Sequence, residues 1–227
     1  EIISGQGSVP DGFEHYILKY DDNSVYPFAK LEYVYYRMAV DAGINIMPSE
    51  LRCYEGVSHF LTKRFDRKCN EKIHMQTLAA ISPESDSYED IFSLIRRLNL
   101  PYEDSRQQFL RMVFNIVARN VDDHSKNFAF CMDNGGTWRL SPAYDLTYSV
   151  DLAAPAYSNR HSLTINGKNE GVTRADLEKV GITNDISEYK HLIDKVAIAT
   201  SMFEQYCSEL GIDSTLSKSI KEDFVKM

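Results

Sequence analysis

Residues Val121 to Leu146 read VDDHSKNFAFCMDNGGTWRLSPAYDL, with two carboxylates, a histidine and a lysine packed into the first six positions and a lone Asp returning at 145. Between these charged ends, FAFCM and TWRLS are strand-like, and DNGG supplies the residue types that hairpin turns demand. Pairing residues 128–132 with 137–141 predicts a hairpin in which Phe128 faces Ser141. Asn127 and Asp145 then leave the hairpin at the same end.

Asp122 and Asn127 flank a six-residue loop at the mouth of that hairpin, so three oxygen-bearing side chains converge from separate positions. Hard cations such as Mg²⁺ take carboxylate, amide and water oxygens and leave positions open to phosphate. The five-step spacing from Asp122 to Asn127 matches the Asp-x-x-x-x-Asn of a kinase catalytic loop, in which the Asp accepts a hydroxyl proton and the Asn holds a metal. Asp123 fits that spacing less well. Asp145 takes the place of the second metal ligand, followed here by Leu146 and Thr147 rather than Phe-Gly. Each residue taken alone has a plainer reading. A lone Asp is commonly a solvated loop carboxylate, His124 is either a structural histidine or a phosphate or loop-orienting contact, and Lys126 is either a partner of local acids or phosphate or an ordinary surface lysine.

The chain around this segment has 227 residues, enough to bury a substantial core as one domain or two lobes. It is 43% hydrophobic and 26% charged, and no apolar run approaches the ~20 residues of a membrane helix. A net charge of -8 weighs against a dominant nucleic-acid surface. Cys53, Cys69, Cys131 and Cys207 form no Cys-x-x-Cys pair and read as free thiols of a reducing cytoplasm. The opening EIISGQGSVPDGFEHY resembles neither a signal nor a transit peptide, and the expectation is a piece of a longer polypeptide.

Upstream, HYILKY and SHFLTKRF are strand candidates. In FAKLEYVYYRMAVDAGI, Leu31, Val34, Tyr35, Met38 and Ala39 recur at helical spacing and Gly43 marks the stop. From about residue 72 the pattern turns mainly helical. Ile91, Leu94, Ile95 and Leu98 share one face, and the stripe Phe109, Leu110, Val113, Phe114, Ile116, Val117 predicts a helix buried on most sides that delivers the chain into the charged loop. Thr173 and Asp176 predict a capping box with Gly181 at the helix end, and a longer helix is expected from Ile186 to Leu210. The expected fold class is α+β. A small mixed lobe spans 1–67, a mostly helical lobe with the loop and hairpin spans 68–227, and the boundary falls near 66–72.

NVDDHSKNFAF followed by LSPAYDL, with LTKRFDR upstream and HYILKY before LEYVYYRMAVDAGI, resembles the HipA-type serine/threonine kinases, the toxin halves of bacterial toxin-antitoxin pairs. The resemblance covers about residues 15–150 and implies a protein-kinase-like fold. It implies that Asp122 is catalytic, that Asn127 and Asp145 bind Mg²⁺, and that Lys19 contacts ATP phosphates with Glu32 as its carboxylate partner. It also makes Thr62, Lys63, Arg64 and Phe65 the connector whose backbone meets adenine; His124 and Lys126, read above as phosphate contacts, complete the cofactor-binding candidates. Strand alternation in YILKY sends Ile17 and Lys19 to one face, aimed either at a cleft or at solvent from a strand edge. SGQGSVPDG has glycines but lacks the family's Gly-Gly-Ala-Arg-Pro-Lys or Gly-Val-Gln pattern, and reads as a surface turn.

The function implied is ATP- and Mg²⁺-dependent transfer to a Ser or Thr hydroxyl of a protein in the cytoplasm. The implied partner is a small helix-turn-helix antitoxin, with DNA contacted only through it and no membrane. Two other readings are a nucleotide- or antitoxin-binding module without transfer and, further off, a metal-dependent hydrolase using the same carboxylates.

Overall fold

The computed structural model describes residues 12–22, 26–151 and 159–227, together with residues 3, 5, 7, 9 and 10. Within the glycine-bearing stretch 4–12, residues 4, 6, 8 and 11 lie outside the described residues. The chain opens with β1 (Tyr16–Lys19) and continues through α1 (Phe28–Asp41) to β2 (Ser49–Tyr54) and β3 (Val57–Lys63). The three strands form an antiparallel sheet in the order β1-β3-β2, with Lys19 opposite Phe60 and Ser49 opposite Thr62. The two expected strands are there. β2 was missed because SELRCY is mostly exposed and shows no clear apolar alternation.

α1 buries the five residues that its periodicity marked, each at 0% exposure, and Gly43 follows its end at φ 76. It packs on β2 and β3 with one side. Its other side meets α6 (Tyr189–Ser201) and α7 (Phe203–Glu209). Tyr35 lies edge-on to Phe114, Phe203 and Phe224, and its hydroxyl donates to the Ala118 carbonyl oxygen. One hydrophobic core therefore runs from α1 through the helices that follow.

Beyond β3 the short hairpin β4 (Arg67–Lys68) and β5 (Glu71–Lys72) leads to β6 (His74–Thr77), then α2 (Leu78–Ile81), α3 (Tyr88–Arg97) and α4 (Tyr102–Val117). α3 starts on a reciprocal Ser87–Asp90 capping box. α4 is buried around most of its circumference, Gln107, Gln108, Arg111 and Asn115 included. A 3-10 turn at Ser125–Asn127 precedes β7 (Ala129–Met132) and β8 (Trp138–Leu140), which join β6 in an antiparallel sheet of order β6-β7-β8. The hairpin is as expected, but its register is one residue off. Phe130 faces Leu140 and Met132 faces Trp138, so the pairing runs on to Pro142, not Ser141, opposite Phe128. A three-residue loop sets the shift, with Asp133 Oδ1 accepting from the Gly135 and Thr137 amides at 2.9 Å each and Gly136 at φ 84.

Two helix readings also change. α5 (Arg174–Thr183) has the Thr173–Asp176 capping box, but Gly181 lies inside it, under Tyr189 and Phe109. The single helix expected over 186–210 is two, α6 and α7. At the join the Thr200 and Ser201 hydroxyls donate to the Val196, Ala197 and Ile198 carbonyls, and Met202 N–H reaches back only to Ala199 O at 3.2 Å. Lys221 of α8 (Ser214–Asp223) takes the Thr200 carbonyl. Among the described residues no helix is long and apolar enough to cross a membrane.

Alanine ordinarily gains ~1 kcal/mol over glycine in a helix. At position 181, however, a Cβ would stand 2.5 Å from the Tyr189 Cβ and 3.3 Å from a Phe109 ring carbon. Overpacking costs ~1–3 kcal/mol, so Gly181→Ala is expected to lower the urea midpoint, and a variant as stable as the parent would show that α5 and α6 do not approach this closely. Asp176 gives a pH prediction. Burial opposes its ionisation, yet Lys168 and the Thr173 amide and hydroxyl outweigh it and carry its pKa from 3.8 down to about 2. A depressed folded pKa adds stability that is full above the ordinary value and is lost as pH falls toward 2. Replacing Asp176 by Asn should therefore flatten the acid limb of stability between about pH 4 and 2, by about 1–2 kcal/mol after solvent screening.

Candidate active site

Lys19 is held from two sides. Alternation along β1 turns Ile17 and Lys19 into the same cleft, and the ammonium of Lys19 lies 5.9 Å from the centroid of the Phe60 ring. α1, fixed by its buried face, presents Glu32, whose Oε1 accepts from Lys19 Nζ at 2.6 Å. The same nitrogen is ion-paired with Asp145 Oδ1, on the far side of the β7–β8 hairpin. Burial works against the Lys19 charge, but the two carboxylates outweigh it and its pKa is raised. Glu32 is raised too, by burial first, with Lys19 pulling the other way and Asp145 adding to the rise. Asp145 takes φ 52, a left-handed backbone that Asp tolerates better than most residues.

These groups close one end of a cleft of about 280 Å³. Its walls are apolar, from Ile17, Ile46, Met47, Phe60 and Met75, a surface suited to a flat ring system. The segment Thr62–Phe65 forms the other end. Lys63 N–H donates to Pro48 O at 3.0 Å and Arg64 N–H to His15 O at 2.9 Å, so both amides are committed within the chain. Their side chains turn to acids, Lys63 to Glu14 and Arg64 to Asp66 at 2.6 Å. Phe65 instead meets Tyr144, ring centroids 5.5 Å apart, and the Tyr144 hydroxyl donates to Lys126 O at 2.7 Å.

The loop Asp122–Asn127 is closed on itself. Asn127 Nδ2 donates to the Asp122 carbonyl oxygen at 2.8 Å, which leaves Oδ1 as the atom of Asn127 available to a ligand. The Asp122 side chain is 64% exposed, and His124 Nε2 lies 3.7 Å from its Oδ1, too far for a hydrogen bond. Lys126 is exposed and makes no ion pair among the described residues. Of the sequence-predicted residues, Lys19, Glu32, Thr62, Lys63, Arg64, Phe65 and Asp145 line the one cleft. Asn127 is joined to this group through the void it shares with Tyr144 and Ala143. Asp122, His124 and Lys126 stand outside the cleft lining, on the adjoining loop.

Sequence reasoning missed the partners behind the loop. Asp123 is fully buried and accepts from the Tyr88 hydroxyl at 2.7 Å and the Ser162 amide at 2.7 Å, with His161 Nδ1 at 2.9 Å. The signal was there in part: Asn115 extends a stripe of polar residues, Asp104, Gln108 and Arg111, along a buried face of α4, and donates to the same Tyr88 hydroxyl at 3.0 Å. His161 carried no local signal.

Because Lys19 holds the Glu32 pKa down against burial, Lys19→Met should push that carboxyl further up, read by carbon-detected NMR titration of the glutamate side chains. A Glu32 pKa that is the same in both proteins would rule out the bridge.

Comparison with known proteins gives the family and the fold. Residues 3–210 match the family described as HipA-like C-terminal domain. A Sinorhizobium fredii protein named putative kinase Y4mE is 27% identical over 205 residues, covering 78% of this chain and 47% of its own length, so the chain spans about half of that curated relative. Among solved structures, the Shewanella oneidensis MR-1 toxin-antitoxin system of HipA, HipB and operator DNA contains a chain matched at TM-score 0.58 and 16% identity, over 99% of this chain and 70% of that one. The Helicobacter pylori proinflammatory kinase CtkA matches at TM-score 0.55 and 13% identity, over 91% and 92%. The two structural likenesses give the fold as kinase-like. With its family match running through nearly the whole described length, the chain belongs to the HipA-like C-terminal domain family.

Proposed function

We propose that this chain carries out ATP- and Mg²⁺-dependent phosphoryl transfer to a Ser or Thr hydroxyl of a protein. The observation that carries this reading is Lys19, bound at once to Glu32 on α1 and to Asp145 beyond the hairpin, at the polar end of an apolar cleft. The residues fit the nucleotide and its metal. The cleft walls suit a purine, and Asn127 Oδ1 and the Asp145 carboxylate form the sparse oxygen set that Mg²⁺ shares with phosphate. When bound, the metal-nucleotide complex supplies the phosphoryl group and neutralises charge on its oxygens.

The chain's own residues do the rest. Glu32 orients Lys19, and Lys19 steadies the phosphate oxygens. Asp122, exposed and oriented by the closed loop, accepts the proton of the attacking hydroxyl. His124 and Lys126, on the same loop as that carboxylate, are the phosphate contacts on the nucleotide side in this reading. In this reading residues 1–67 form the nucleotide-binding lobe and 68–227 the lobe that carries the catalytic loop, with Thr62–Phe65 between them. Because the Shewanella neighbour is a complex of HipA with HipB and operator DNA, we place a small helix-turn-helix antitoxin as partner, in the cytoplasm, with DNA reached through it.

Asp122→Asn should reduce transfer by ~10²–10⁴-fold in a mass-spectrometric phosphorylation assay while leaving the melting temperature within a degree or two of the parent. A variant that transfers as fast as the parent would remove Asp122 from the chemistry. Stabilisation by ATP with Mg²⁺ but no transfer by the parent would instead favour a nucleotide-binding module.

A further inference from the structure

α4 ends in an unusual way. Ala118 caps it, Arg119 follows at φ 56 where glycine is commoner, and Asn120 N–H reaches back to Asn115 O at 3.0 Å, closing a six-residue C-terminal turn. This turn delivers Asn120, 2% exposed, into the space between the catalytic loop and the segment after β8.

The single amide of Asn120 touches both halves of the site. Its Nδ2 donates to Asn115 Oδ1 at 3.1 Å and is 3.4 Å from the Asp145 carbonyl oxygen. Its Oδ1 accepts from the Ser149 hydroxyl at 3.1 Å, and Ser149 Oγ in turn accepts from the Asp122 N–H at 2.9 Å. Behind it, Asn115 is tied through Tyr88 to the buried Asp123 and His161. The backbones of Asp122 and Asp145 are thus hung from opposite ends of one buried side chain, itself anchored in the core. Asp145 itself holds a left-handed backbone at φ 52.

We propose that Asn120 is a positioning residue that sets the separation and orientation of Asp122 and Asp145. The inference rests on the phosphoryl-transfer reading. It assigns to Asn120 no contact with substrate, nucleotide or metal. Its effect on transfer runs through geometry alone, and misplacement of reacting groups by about 1 Å costs ~10²-fold.

The test compares the parent chain with Asn120→Asp, which keeps the acceptor for Ser149 but loses the donor toward Asn115 and Asp145, and with Ser149→Ala, which cuts the link to Asp122. Steady-state transfer with ATP and Mg²⁺ is measured beside hydrogen exchange of the peptides spanning 121–127 and 143–149. Each variant is expected to lower kcat by about 10- to 100-fold with KM for ATP within about twofold. Exchange should rise mainly at 143–149 for Asn120→Asp and mainly at 121–127 for Ser149→Ala. Unchanged exchange in both segments, or unchanged kcat in folded variants, would overturn the proposal. A drop in melting temperature with kcat intact would assign Asn120 a structural role only, which also overturns it. Absence of transfer by the parent would sink the functional reading instead. The positioning role then stands or falls on the exchange of the two segments, which should rise as stated in each variant.

Discussion

α1 has to satisfy two surfaces at once, and the rest of the structure depends on its doing so. Its apolar residues occupy more than one stripe, so the helix lies between the β1-β3-β2 sheet and the pair α6 and α7. Tyr35 is the rivet: fully buried, edge-on to three phenyl rings, its hydroxyl on a carbonyl at the end of α4. The last turn of α4 is also where the chain enters the loop bearing Asp122. The element that presents Glu32 to the cleft therefore touches the end of the element that leads into the loop bearing Asp122.

The charges of the cleft are intelligible only as a set. A half-buried lysine loses hydration, and two carboxylates more than compensate. A carboxylate as enclosed as Glu32 would otherwise favour its neutral form. The apolar walls strengthen these interactions by keeping the local dielectric low. Lys19, Glu32 and Asp145 gather at one end of the cleft, and Lys63, Arg64 and Asp66 stand with the Phe65 and Tyr144 rings at the other.

Much of this was legible in the sequence because local periodicity and turn chemistry agreed with the tertiary fold. The face of α1, the burial of α4, the capping box of α5 and the hairpin after Asn127 all follow from spacing. So did the shared cleft of Lys19 and Asp145, through the resemblance to a family. What escaped was set by contacts distant in sequence. β2 and β6 are strands because β3 and β7 offer them edges, and neither carries a strong apolar pattern of its own. The hairpin register turned on one residue of loop geometry. Gly181 looked like a stop, but its role is close approach by α6, a fact of packing invisible along the chain. Asn120, Ser149 and His161 acquire meaning only where remote segments meet.

The adjacent acids Asp122 and Asp123 have opposite fates, and the first follows from the second. Val121 and Asp123 are buried, and Asp122 between them is exposed. In a stretch of backbone outside any helix, neighbouring side chains tend to leave on opposite sides. Once Tyr88, His161 and the Ser162 amide have claimed Asp123, the only direction left to Asp122 is outward. One carboxylate is the peg and the other the exposed tip, and the tip is aimed by seating the peg. A single-residue insertion before Val121 would exchange the two, leaving the composition of the motif intact and its direction reversed.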